Sequence, residues 1–413
     1  MSSGDSPSCG RNVALCFHPP IMKSPFDLLP RITDNKLPFE PYPGATSVIG
    51  SVFQNVDTTY KFFWFLSVLH RAKTAPFRTD LQLEIKELAR EMIAQAWPCR
   101  RLFKLWFGHQ DRLQGLIDQL AQSSGLVDGA RLDEVRDAAM KLSEADLSVL
   151  QDFVPYRFLS PWLRSALVGV SDHARNQLIQ LLAERSSKSP RPTPYSFDSV
   201  IGRPKQIIVD SKWLTFLRSS HDPLRAFAQL SVARYFETRN PGIPGIINKL
   251  DRPRVRKLEK ARAFWDTILS NQPLKCIYSG EPIRSDYDLD HFLPWSFVTH
   301  DLIWNLTPAP GSINLAKSDA IPNLGRYLSA LVDQHYVAMP VLKNALTNVR
   351  GARLRALESI TLEYASFFKI PLTELFLLSH DRFENALSTE LHAQADVARR
   401  LNFVSDWIWS DLE

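Results

Sequence analysis

Cysteine is scarce. The 413 residues carry four, Cys9, Cys16, Cys99 and Cys276, and no two of them stand in C-x-x-C spacing. That spacing excludes the paired-thiolate patterns of a structural zinc site, so no structural zinc is expected. So few thiols in a long chain also point to a reducing compartment, the cytoplasm. Long apolar runs are lacking too. The most apolar stretch, Phe62–Leu69, falls far short of the roughly 20 residues a membrane span needs, so no membrane partner is expected. The first residues hold Ser, Gly, Pro and one very short apolar patch, Val13–Phe17, which does not make a signal peptide. Glycine, at 16, is outnumbered by proline, at 28, which argues for fixed turns. No internal repeat and no sustained heptad is present.

What is there is an ordinary globular balance, 45% hydrophobic and 23% charged, in a chain long enough for two or three domains. The net charge of +5 is small, but its placement is not even. Lys249, Arg252, Arg254, Arg256, Lys257, Lys260 and Arg262 are interrupted only by the acids Asp251 and Glu259, so this stretch alone carries a charge equal to that of the whole chain. Such a cluster suits a polyanion, and Lys249, Arg252, Arg254, Arg256, Lys257 and Lys260 are the expected DNA contacts.

The periodicity is mainly helical. Residues 1–45 are rich in Pro, Ser and Asp and read as extended or partly disordered. Residues 46–185 read as a helical region, with apolar residues at helical spacing in 80–95 and a dense apolar body in Thr58–Ala72. Tyr60–Phe65 reads as core, with Lys61 as one surface lysine. Residues 186–197 contain the Ser/Pro-rich run SSKSPRPTP, which forbids a continuing helix and reads as a linker or loop. Residues 198–270 are helical again, with a short strand at Gln206–Asp210, the turn-rich segment Asn240–Leu250 and then the basic cluster. Helices resume in 324–413, near 323–337, 350–368 and 371–402. The expected fold is therefore mainly α, with helical N- and C-terminal regions flanking a small module at 271–323.

The chemistry lies in that module. Cys276–Ser279 reads as a strand meeting a turn at Gly280, and Tyr287–His291 as a second strand ending in the pair Asp290–His291. Pro294 stops regular structure, Asn305 falls in a loop with Pro308 and Pro310, and Gly311–Ser312 opens a helix with Ser312 as its N-cap. Asn314 and Lys317 share one face of that helix. Phosphodiester hydrolysis needs a water to lose a proton and the charge on the phosphoryl and leaving oxygens to be neutralised. A histidine serves the first need. A hard divalent cation held by few oxygen ligands serves the others.

The stretches Asp288–Leu289–Asp290–His291, Pro294, Ser296–Phe297, Asn305, Asn314, Lys317–Ser318–Asp319 and Pro322 resemble the HNH, or ββα-metal, nuclease family. They are similar in particular to the HNH domain of the RNA-guided CRISPR effector nuclease, in which the last His is Asn. The resemblance spans about 47 of the 413 residues. The wider arrangement, with Asn240–Ile246 as an NPxxPGI-type segment ahead of the motif, looks like bacterial stand-alone HNH endonucleases, many of which serve anti-phage defence or restriction.

The resemblance implies that His291 is the general base and that Asp290 and Asn314 bind the metal. Asn305 would pin the loop and orient His291, and Lys317 would stand near the scissile phosphate. It implies Mg²⁺, with Mn²⁺ as an alternative, double-stranded DNA as substrate, and 5′-phosphate and 3′-hydroxyl products. Protein or guide-RNA partners in a defence complex also follow from it. The alternatives are a catalytically silent DNA-binding or adaptor subunit and an HNH subunit of an RNA-guided complex. His300 is expected to satisfy a loop carbonyl, and Asp288 shares the Asp290 face of the strand.

Overall fold

The computed structural model describes residues 40–76, 81–252 and 256–410. Residues 1–39, with Cys9, Cys16 and most of the expected N-terminal extension, lie outside the described residues, as does Arg254.

Two hydrophobic cores organise the rest, one drawn from Tyr42–Leu250 and the other from Ala261–Phe403. The helix Tyr60–Thr74 runs through the first, with Phe62–Leu69 buried without interruption. A helix that is apolar all round is stable only inside a core, and this one has helices on several sides.

A three-stranded antiparallel sheet closes this region, in the order β1 (Leu81–Glu84), β3 (Gln206–Val209), β2 (Tyr195–Phe197). Leu81 and Tyr195 both face Val209 in its registers. Residues 81–84 were expected to be helical. They form a strand because Leu81 and Leu83 alternate with Gln82 and Glu84, burying one face. The helix begins only at Ile85, whose N–H bonds to the Lys205 carbonyl at 2.8 Å.

The segment 186–197 is also not a break between cores. Trp213 donates its indole N–H to the Pro192 carbonyl at 2.8 Å, and Thr193, Tyr195 and Phe197 are buried in the same core as the helices on either side. The prolines end the helix Asp172–Ser187 and turn the chain into the buried edge strand β2.

Helix His221–Arg239 then delivers the segment Asn240–Ile246. Buried Asn240 accepts the Trp106 N–H at 2.8 Å and donates to the Trp106 and Phe236 carbonyls, both at 2.9 Å. Gly245 sits at φ +60, and a Cβ built there would lie 2.7 Å from the Thr299 hydroxyl. Glycine is required both by the left-handed backbone and by this close approach.

The second core packs helices Glu259–Asn271, Leu324–Asn348, Gly351–Phe368 and His380–Arg400 around a two-stranded ribbon. The ribbon is β4 (Asp288–His291) against β5 (Leu306–Ala309), followed by the helix Gly311–Lys317. This shifts the expected strands. Cys276–Ser279 is a turn, closed by the Gly280 N–H on the Cys276 carbonyl at 2.9 Å. The second strand is instead Leu306–Ala309, where Pro308 is tolerated because a two-stranded ribbon leaves outer edges that need no donor. The final helix is preceded by Pro310, with Ser312 inside the first turn rather than at the cap. The expected helix over 371–402 is two, Leu372–Leu375 and His380–Arg400, the second capped by the Ser379 hydroxyl.

Candidate active site

Strand alternation puts Asp288 and Asp290 on one face of β4, toward the helix Gly311–Lys317, and His291 on the other. β4 ends after His291 because Asn305, wholly buried, clamps the next turn. Its side chain accepts the Leu293 N–H at 2.8 Å and donates to the Leu293 carbonyl at 3.0 Å. The Asn305 carbonyl also takes the Phe292 N–H at 2.8 Å.

His291 is 4% exposed, and its Nε2 lies 2.9 Å from the Asp301 carboxylate. A carboxylate can only accept, so Nε2 carries the proton by assignment and the neutral ring presents Nδ1 as its lone pair. Asp301 takes a second bond, from the Lys257 backbone N–H at 3.2 Å. Burial pushes its carboxyl up, but the His291 bond and charge, the Lys257 N–H and Arg256 together hold it below the ordinary range. Asp301 is therefore ionised at neutral pH and accepts the Nε2–H of His291. Next to it, burial, with His291 and Lys249 nearby, pulls His300 down to about 4. Its neutral Nδ1 receives the Leu302 N–H at 3.4 Å, so His300 satisfies a loop N–H rather than a carbonyl.

The Asp290 face is closed. Asp290 is 2% exposed; one oxygen accepts the Lys317 ammonium at 3.0 Å and the other the Tyr278 hydroxyl at 2.5 Å. Lys317 is equally buried and donates also to the His291 carbonyl at 2.6 Å. Burial and the Asp290 charge push the Tyr278 phenol well above its ordinary range, so it stays a donor. Lys317, expected near the scissile phosphate, is thus paired with Asp290 inside the protein. The Asp290 carboxylate supplies the counter-charge without which a buried ammonium would be strongly destabilising.

Asn314 is half-buried, and its amide Nδ2 lies 3.4 Å from the Asp288 carboxylate, which is exposed. The structure thus brings Asn314 to Asp288. Among the described residues no group of three or more His, Cys, Asp and Glu side chains gathers as a metal cage. The donors on this face are nonetheless hard oxygens, two carboxylates and an amide, which suit a small divalent cation that keeps most of its waters. Asp288 and Asn314 are open to one; Asp290 joins them only by releasing Lys317 or Tyr278.

The basic cluster divides. Arg252, Arg256, Lys257 and Lys260 are exposed. Arg256 lies over the Trp295 ring at 5.1 Å, and Lys260 donates to the Ser359 hydroxyl at 2.8 Å. Lys249 is different, and its expected contact with DNA is corrected. It is fully buried, donating to the Phe297 carbonyl at 2.5 Å and the Thr299 hydroxyl at 3.1 Å, and burial pulls its amine down to about 7. It fastens the first core to the short helix Trp295–Val298 that precedes Asp301.

Sequence reasoning passed over Asp301 and Tyr278. Asp301 had a signal, since it adjoins His300 within the motif loop; Tyr278 had only its place beside Cys276.

A strand ending in an acid–His pair, a returning strand and a short helix carrying Asn and Lys define the class of a ββα nuclease centre. Residues 276–323 match the family model for HNH endonuclease, and this segment is an HNH nuclease module, a hydrolase centre for nucleic acid. No curated protein and no solved structure matches the chain. No helix among the described residues is long and apolar enough to cross a membrane.

Proposed function

We propose that the protein is a Mg²⁺-dependent DNA endonuclease that leaves 5′-phosphate and 3′-hydroxyl ends and serves anti-phage defence or restriction, with Mn²⁺ able to replace Mg²⁺. The observation that carries this reading is the His291–Asp301 pair at the end of β4. His291 takes a proton from water at Nδ1, while Asp301 holds Nε2–H and balances the charge that develops on the ring. Asn305 keeps the β4 end in place, and Arg252, Arg256, Lys257 and Lys260 position the duplex through its phosphates. A divalent cation, when bound by Asp288 and Asn314 and reaching Asp290, would supply charge neutralisation at the phosphate and the leaving oxygen.

The test is nicking of a supercoiled plasmid by the purified protein in Mg²⁺ or Mn²⁺. His291→Ala is expected to lower the rate by about 10²–10⁴ while DNA binding persists, and excess EDTA is expected to stop cleavage. Parent-like cutting by His291→Ala would remove His291 as the base.

One observation favours a second reading, a catalytically silent DNA-binding subunit: Asp290 has both oxygens engaged inside the protein. Retained DNA binding with no nicking in any divalent metal would select it.

A further inference from the structure

Far from the ribbon in sequence, a cleft of about 330 Å³ opens in the first core, between the end of helix Ala45–Val52, the start of helix Tyr60–Thr74, the loop 160–168 and the start of helix Asp172–Ser187. Three of its lining residues are cations, Lys61, Arg164 and Arg175, and none is a carboxylate. Neighbouring cations outside the cleft are matched: Arg157 donates to Asp172 at 3.0 Å and to Asn176 at 2.9 Å. Two of those inside are not. Neither Lys61 nor Arg164 forms a hydrogen bond or ion pair among the described residues. Arg175 reaches the Val170 carbonyl at 2.9 Å and stands 3.6 Å from Asp172, but its buried Nε–H has no acceptor.

Lys61 is half-buried. Burial pulls its ammonium below the ordinary range, Asp57 opposes this, and Arg157 adds repulsion. A partly desolvated ammonium with no hydrogen-bonded partner, lining a cleft with two other cations and no carboxylate, favours an anion there. Lys61 also stands in the first turn of a 15-residue helix, whose dipole favours negative charge there. The remaining wall is mixed, with Val52, Pro161, Leu167 and Val168 apolar and Ser51, Asn55 and Ser160 polar. The volume falls at the small end of ligand pockets, which suits one small molecule rather than a duplex.

We propose that this cleft binds one nucleotide, its phosphate on Lys61, Arg164 and Arg175 and its planar base against Val52, Pro161 and Leu167. The same chemistry is offered by a free nucleotide and by the 5′-phosphorylated end of a strand. The site is independent of the nuclease reading and makes no use of its residues.

The experiment is calorimetric titration of the full chain in EDTA with ATP, with a 5′-phosphorylated oligothymidylate, with its 5′-hydroxyl counterpart and with inorganic phosphate. ATP or the phosphorylated strand is expected to bind at least about tenfold more tightly than inorganic phosphate, and whichever is tighter identifies the source. Lys61→Gln with Arg164→Gln is expected to weaken that binding about tenfold or more. Arg164→Glu, at an exposed position that leaves the fold intact, reverses one charge and is expected to do the same. Binding no tighter than that of inorganic phosphate, equal binding of the 5′-hydroxyl strand with no binding of ATP, or parent-like affinity in both variants would overturn the proposal.

Discussion

Replacing Asp301 with alanine takes away the acceptor that holds the His291 ring. In the parent, Nε2–H points at a carboxylate 2.9 Å away that is itself tied to the Lys257 N–H. Without it, both neutral tautomers become available and the imidazolium formed during cleavage has no counter-charge. A hydrogen bond to a charged group contributes about 1.5–3 kcal/mol. As about 1.4 kcal/mol is tenfold in rate, kcat is expected to fall roughly ten- to a hundredfold with little change in KM. Asp301→Asn keeps an oxygen for Nε2–H and loses only the charge, so its rate is expected between those of parent and alanine variant. The assay is plasmid nicking under single-turnover conditions, paired with ¹⁵N NMR of the His291 ring, which reports the Nε2–H tautomer in the parent and a mixture in Asp301→Ala. An alanine variant that cuts within about twofold of parent, with the tautomer unchanged, would refute the reasoning.

Salt dependence separates the exposed cations from the buried one. Arg256→Gln with Lys260→Gln is expected to reduce the slope of log affinity against log salt by about 2 in DNA-binding titrations, whereas Lys249→Met leaves it unchanged. Lys249→Met is also expected to change the pH dependence of stability. The parent amine is pulled down to about 7, so the folded state holds that proton less firmly than the unfolded chain, and stability rises with pH above about 7. Thermal melts of the variant should lack that rise.

Asp111 has the opposite sign. Burial raises its carboxyl to about 6 although it accepts the Thr59 and Leu113 N–H groups at 2.5 and 3.1 Å. Its contribution to stability is complete at pH below about 4 and is lost as pH rises through about 6, a loss that melts of Asp111→Asn should not show. Gly245→Ala is expected to cost about 1–3 kcal/mol, read as a lowered Tm, because it strains a left-handed residue and drives a Cβ into Thr299.

What could be read from the sequence was whatever depends on local spacing. Helices such as Ser211–Ser219 and Glu259–Asn271 repeat their apolar residues over several turns and are visible as periodicity. β1 and β5 are four residues each, too short to establish a period, and Pro308 hides the second. The motif spacing His291–Asn305–Asn314 could be recognised because it is fixed by a compact unit of about 30 residues. Partnerships made by folding back could not. Asp301 meets His291 only because a short helix and the left-handed Thr299, at φ +54, reverse the chain between them. Charge is equally mute about burial. Lys249 and Lys260 belong to one basic run, yet one lies in the interior under Phe103 and the other on the surface.

The residues that follow the last long helix have a consequence of their own. The Ile321 N–H bonds to the Val404 carbonyl at 2.7 Å, and Pro322 and Trp407 pair as a parallel bridge. Trp407 then lays its ring 5.4 Å from that of Tyr278, the phenol that holds Asp290. The packing of the module is therefore discontinuous in sequence: residues 276–323 take part of their cover from residues 404–407, delivered by the helix His380–Arg400. A fragment cut to the motif would lose that cover and open Asp290 to solvent. A truncation before Val404 is expected to remove this pairing and the Trp407 ring from Tyr278, read as a lowered Tm in thermal melts.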